Sequence, residues 1–346
     1  MSRLRLERLR SQALTGPPEK SAADVVDRLL AVQAQDLRGA RLAIRARSSG
    51  CTAADVDAAI DRGELVVGWL NRGTLHLVAR DDYWWLHALT TPPLSTSNTT
   101  RLRQEGVDED AAERGVRSIT RALANEGPLL RAELRERVRA GGVPVDGQAM
   151  VHLLFHAALR GDIVRGPLRR SEQAWVHARD WLDPRPKRID RDEALAALVR
   201  RYLRGHGPAA ERDLAKWAGL SLRGVRAGLA GAAGDLTQRP DGFVTLKKKT
   251  HPAALRHPEP RLLGAYEPVL LGWAIRDDVL TSAAARRLVT ANGLFRPFLF
   301  VDGQAVGTWR IDGTTVELDP FEPLDRQVAA ALEADAADVV RFLRGS

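Results

Sequence analysis

The 346 residues, 44% of them hydrophobic, suffice for two or three packed domains, so a folded globular chain is expected. The single cysteine, Cys51, excludes an internal disulfide framework and a cysteine-built zinc knuckle. No run approaches the roughly eighteen apolar residues of a membrane span, and MSRLRLERLRSQ carries leader-like charge with no apolar stretch behind it, so a cytoplasmic location is expected.

The net charge of +8 is unevenly spread: residues 121–260 hold 26 Lys/Arg against 16 Asp/Glu, whereas residues 1–120 hold 17 against 16 and residues 261–346 hold 9 against 12. A basic middle third fits a polyanionic partner such as nucleic acid, although a solvated arginine-rich surface gives the same count. Arginine outnumbers lysine 46 to 6, so codon composition accounts for part of the bias. Aromatic residues, at 5%, are too few for a single-strand stacking platform, which makes duplex DNA the better partner.

In chain order, the first periodic stretch runs from Ala22 to Ala34, with Val25, Val26, Leu29 and Leu30 at helical spacing. Its end, LLAVQAQDLRGA, holds two amides, Gln33 and Gln35, separated by one alanine. On a continuous helix they diverge by roughly 200°, whereas on an extended or broken stretch they share a face. A second periodic stretch covers Ala40 to Arg47, and Thr52 reads as the N-cap of TAADVDAAIDRG. ELVVGWLNRGTLHLVA then supplies two strands around Asn71–Gly73. Strand alternation through RGTLHLV puts Arg72, Thr74 and His76 on one face and Leu75 and Leu77 on the other, a polar triplet that an ordinary wet strand face also displays.

An internal repeat follows at a spacing of eighty residues. NEGPLLRAELRERV and GHGPAAERDLAKWAG both place Gly-Pro before an amphipathic helix, each flanked by further helices: GVRSITRALAN and DGQAMVHLLFHAALRG, then EALAALVRRYLRG and SLRGVRAGLAGA. DIVRGPLRRSEQAWVH and DLTQRPDGFVTLKKK close the two copies, each as two β-runs around a Gly/Pro or Asp-Gly turn. Three helices closed by a hairpin describe a winged helix. The fold expected is α+β, with three winged-helix motifs in tandem over residues 20 to about 250, a Pro-rich linker at 250–260, a β-rich segment with an Asp302-Gly303 turn, and a closing helix in PLDRQVAAALEADAADVVRFLR. The domains expected are 1–115, 116–185, 186–250 and 251–346.

There is no dinucleotide-binding fingerprint, no phosphate-binding Gly-Lys loop, no G-x-S-x-G elbow and no H-E-x-x-H. His152 and His156 stand one helical turn apart, but Leu153 occupies the place of a zincin glutamate, so no metal and no cofactor is expected. Lys247, Lys248 and Lys249 end the third wing, where they either neutralise phosphates or lie in solvent.

AVQAQD, WLNRGTLHLV, LLGAYEPVLLGW and VDGQAVGTWR, in that order over nearly the whole chain, resemble the winged-helix DNA glycosylases of the AlkZ type, whose wider family includes the YcaQ glycosylases. The resemblance implies a C-shaped protein that excises bulky alkylated purines and unhooks interstrand crosslinks. It identifies Gln33 and Gln35 with the family's two motif glutamines. Glutamine at 35, where the YcaQ branch has aspartate, points to the branch associated with self-resistance to alkylating natural products. The contacts expected with substrate or DNA are Arg72, Thr74, His76, Lys247, Lys248, Lys249 and Arg310, with Asp36 as an accessory to catalysis or simply an N-cap. Tyr266-Glu267 departs from the Phe-Asp of relatives. A non-catalytic winged-helix DNA-binding protein, regulatory or drug-sequestering, stays open beside the enzyme, as does a more remote metallohydrolase built on His152 and His156.

Two amides are chemically sufficient for such a reaction. N7 or N3 alkylation makes the purine cationic, so its glycosidic bond is already weakened and the base departs neutral. What remains is to hold a water near C1′ as oxocarbenium character develops. A glutamine accepts through its carbonyl oxygen and donates through its NH₂, so a pair can fix one water's orientation, but neither is a general base. This requires the helix to end or distort between residues 32 and 36.

Overall fold

A computed structural model describes residues 1–247, 255–291, 293–313 and 315–345. The chain divides into two compact units: residues 57–190, and residues 1–56 together with 191–346.

The unit of residues 57–190 is built on four antiparallel strands. Leu65–Trp69 pairs with Leu75–Ala79 on one side and with Ile163–Arg169 on the other, and Ile163–Arg169 pairs with Glu172–His177. The repeat read in the sequence is present as helices Glu109–Glu126, Arg131–Ala140 and Ala149–Arg160, followed by that last hairpin. Its core collects one face of each element, including Ile119, Leu123, Leu134, Leu153, Ile163 and Trp175. Gly166-Pro167 is not the expected hairpin turn. It lies within the strand as a bulge, with the register shifting between Arg165 and Leu168, because proline has no N–H to give the ladder. The turn is instead at Arg170 and Ser171, both left-handed (φ 51° and 70°), as a two-residue hairpin of this hand requires. Helices Arg80–Thr90 and Ser95–Gln104 follow the Leu75–Ala79 strand.

In the other unit, Arg191–His206, Glu211–Ala218 and Leu222–Gly231 precede the hairpin of Leu236–Gln238 and Val244–Leu246, which turns at Asp241-Gly242 as expected. Close helix packing depends on glycine here. A Cβ on Gly228 would lie 2.6 Å from Leu195 O, and one on Gly205 2.5 Å from Arg28 O. The C-terminal segment is a four-stranded antiparallel sheet of Arg261–Leu263, Phe298–Val301, Gln304–Asp312 and Thr315–Pro320. Asp302-Gly303 turns with φ 48° and 76°, the Asp-Gly hairpin expected. PVLL, within the segment expected to be β-rich, is helical. Pro268 opens a helical turn, Pro268–Leu271, where a missing N–H costs nothing. The closing helix, Arg326–Arg344, is capped by Asp325, which accepts from Gln327 N at 2.7 Å. Among the described residues no helix is long and apolar enough to cross a membrane.

Candidate functional site

The helix carrying the first apolar stripe is shorter than its periodicity predicts. Ala22–Leu29 is capped by Ser21 and stopped by Leu30, which adopts φ 68°, and Ala31–Gln33 is already extended. A left-handed leucine is costly. It is held because Leu29, Leu30 and Val32 are all fully buried, so stopping the helix at residue 29 keeps consecutive apolar residues inside. From there burial alternates with a period of two: Val32 and Ala34 point in, whereas Gln33 is half-buried and Gln35 exposed. Asp36 then caps the next helix, Leu37–Arg45, accepting from Arg38 N at 3.0 Å. The two amides are therefore the less buried positions of a short connector between two helix ends, Gln33 closing the extended stretch and Gln35 at a bend before Asp36.

The connector's neighbour within its unit is the LLGAYE segment. A Cβ on Gly39 would sit 2.4 Å from Ala265 O, and one on Gly264 3.0 Å from Gly39 Cα, so two glycines let the backbones touch at the first turn of Leu37–Arg45. This brings Tyr266 beside Asp36. Tyr266 has φ 55°, and partial burial together with the Asp36 charge raises its phenol pKa. Beneath it Glu267 is fully buried and accepts from Arg47 Nη2. Arg47, 1% exposed, also donates to Gln12 O (2.8 Å), Gln12 Oε1 (2.8 Å) and Ala43 O (2.9 Å). No local sequence pattern links Tyr266 to Asp36, because the contact joins residues more than two hundred apart.

The RGTLHLV triplet, in the unit of residues 57–190, is not the alternating wet face expected. The strand begins at Leu75, and Asn71–Gly73 is a 3₁₀ turn in which Arg72 has φ 58°, so Arg72 stands outside the alternation. Thr74 is half-exposed, its Oγ1 donating to Asn71 O at 3.2 Å. His76 is buried opposite Gly68, because both faces of this strand are covered. Its Nδ1 lies 3.0 Å from Thr74 O, which can only accept, so the proton sits on Nδ1 and Nε2 is the acceptor. Burial first, and then the Arg72 charge, lower the His76 pKa to about 3. Burial also lowers Arg72.

His206 and His87 behave alike, depressed by burial to about 3 and about 4. A folded-state pKa below the unfolded value of about 6.5 means that the unfolded chain takes up protons first as pH falls. Stability is thus fully present above about pH 6.5 and declines below it by about 1.4 kcal/mol per pH unit for each such histidine. Urea midpoints at pH 7 and pH 5 should show this loss, and replacing His206 with phenylalanine should reduce the slope. Equal midpoints at the two pH values would refute it.

Other sequence candidates have local partners. Arg310 is exposed but donates across the hairpin to Glu317 at 2.7 Å, its register partner, and this bond raises its pKa. Lys247 Nζ donates to Gly234 O at 2.7 Å. Lys248 and Lys249 lie outside the described residues. His152 Nδ1 is 3.0 Å from Asn98 Oδ1, and no group of three or more potential metal ligands occurs among the described residues. Several arginines of the basic third are in ion pairs, as in Arg137–Glu126, Arg160–Glu113 and Arg226–Glu211.

The family described as DNA glycosylase AlkZ-like matches residues 26–342. The interstrand DNA cross-link repair glycosylase of Streptomyces sahachiroi is 27% identical over 360 residues, spanning 96% of this chain and 94% of that protein. The solved structure of the Streptomyces sahachiroi DNA glycosylase AlkZ aligns with a TM-score of 0.81 at 25% identity, covering 99% of this chain and 96% of that one.

Proposed function

The chain belongs to the family of AlkZ-like DNA glycosylases, and from that premise we propose that it hydrolyses the bond between deoxyribose and a bulky N7- or N3-alkylpurine, with Gln33 and Gln35 orienting the attacking water. The observation that supports this reading is that the helix stops at Leu29, before the two amides, and that both lie outside the buried set formed by Val32 and Ala34. A non-catalytic DNA-binding protein is not favoured, since the family and the related protein are glycosylases.

The C1′–N9 pair (for an N7-alkylguanine) departs with the base and cancels its positive charge, so no acid is required. Oxocarbenium character grows on the sugar as the water oxygen approaches C1′, and the amide oxygens accept from that water while it attacks. The water must then lose a proton, which an amide cannot hold. Asp36 uses Oδ1 for the helix cap, and its carboxylate is proposed to take the proton or pass it to solvent. Thr74 and Arg72, with His76 behind them, are proposed to contact the substrate DNA, and Lys247 to Lys249 and Arg310 its phosphates. The tandem winged-helix division at residues 1–115, 116–185 and 186–250 is part of the same proposal. Because a crosslinked base cannot be turned into a tight pocket, less base flipping is expected than in ordinary glycosylases.

The test is turnover. Catalytic amounts of protein incubated with a duplex carrying N7-methylguanine, or a larger N7 adduct, should leave abasic sites that alkali cleaves, and a crosslinked duplex should be released as single strands on a denaturing gel. Tight binding without abasic sites across several adducts would overturn the reading.

A further inference from the structure

Tyr266 departs from what its backbone favours. Non-glycine residues at φ near 55° are enriched in asparagine and aspartate, whereas a bulky ring at such a position is uncommon, and it persists where surroundings over-determine it. Here they do: the Gly39–Gly264 approach presses the segment onto the helix after the glutamines, and Glu267 next in the chain is locked to Arg47. What this arrangement presents is a half-exposed ring flanked by the buried Ala265 and Glu267.

That ring belongs to a larger surface. Phe295 packs against Tyr266 at 5.8 Å between centroids, and the Arg276 guanidinium lies 5.4 Å from the Phe295 centroid. Phe295 is held by a bridge to Val289. Next in the chain to Arg276 and Phe295 are Ile275, 71% exposed, and Leu294, 52% exposed, the two most exposed large hydrophobic residues among those described. An aromatic pair topped by a guanidinium, with exposed apolar residues adjacent in the chain, suits the face of a base or sugar more than a phosphate chain.

We propose that Tyr266, braced by Phe295 and Arg276, is a positioning residue that stacks on a nucleotide beside the lesion and so sets where C1′ lies relative to Gln33 and Gln35. This rests on the glycosylase reading above. Holding the neighbouring nucleotide rather than the damaged base leaves the adduct unconfined, so bulky lesions are accepted without a pocket shaped to each.

The variants Tyr266→Phe, Tyr266→Asn and Phe295→Ala should be compared by anisotropy on a duplex with a tetrahydrofuran abasic analogue, and by single-turnover excision of N7-methylguanine. Asparagine suits the left-handed backbone, so Tyr266→Asn should melt no lower than the parent while its affinity for the analogue falls about tenfold. Tyr266→Phe should bind and excise like the parent, and Phe295→Ala should weaken affinity in the same direction. Parental affinity in Tyr266→Asn, or an equal loss in Tyr266→Phe, would overturn the stacking role. If the parent binds the analogue with this variant pattern yet forms no abasic sites, the glycosylase reading fails and the contact stands. If the parent does not bind the analogue, the contact fails.

Discussion

Replacing Gln33 or Gln35 with alanine should slow excision of N7-methylguanine by about 10²- to 10³-fold, the effect of losing a preorganised group at a water-positioning site, with duplex affinity nearly unchanged. Both substitutions remove a polar group from a connector whose shape is set elsewhere, by the buried Leu30, Val32 and Ala34 and by the Asp36 cap. Folding should therefore tolerate them. The pair should act as a unit: if one water is held by both amides, the double variant loses little more than either single one. Losses that multiply in the double variant would indicate separate tasks. Loss of affinity in parallel with excision would move the glutamines from chemistry to DNA binding.

Replacing Arg47 with methionine should destabilise the protein by about 3–5 kcal/mol, because it strands a carboxylate in the core. Glu267 is fully buried; its Oε1 is bound to Arg47, and its Oε2 has no hydrogen-bond partner among the described residues. Removing Glu267 instead should cost less, since Arg47 keeps Gln12 O, Gln12 Oε1 and Ala43 O as acceptors. The order of urea midpoints should be parent, Glu267→Gln, then Arg47→Met, and Arg47→Met with Glu267→Leu should recover part of the loss. A cost below about 1 kcal/mol for Arg47→Met would contradict this account. Because the ion pair anchors the Tyr266 segment, excision should fall with it even where the chain remains folded.

How much was legible in the sequence depends on how local the determinant is. The repeated helix, Gly-Pro, helix, helix, hairpin order was readable because 3.6-residue periodicity and turn residues are written within each element, as at Asp241-Gly242, Asp302-Gly303 and the Thr52 cap, where Asp55 N donates to Thr52 Oγ1 at 3.2 Å. The early end of the first helix was not, since leucine at a left-handed position carries no sequence signal and is imposed by packing of Leu29, Leu30 and Val32. Strand alternation through RGTLHLV runs across a turn residue, so it puts Arg72 on a strand that in the structure begins only at Leu75. The Gly166-Pro167 bulge looked like a turn for a similar reason: the same dipeptide serves both, and only the cross-strand partner decides. The amide pair is legible as a candidate motif, whereas the placement of Tyr266 is not, because its position beside Asp36 depends on two glycines that meet only after the chain has folded.

The connector between Leu30 and Asp36 has one more consequence, which concerns parity. Its ends are fixed by a reversed backbone turn and a helix cap, and its interior by burial of every second residue. An odd insertion or deletion between the two glutamines would send one amide into the core and an apolar side chain out. Conservative exchange of an amide is a smaller change than a shift of frame. Ala34, 2% exposed and with no chemistry of its own, is therefore as tightly constrained as the residues that it separates.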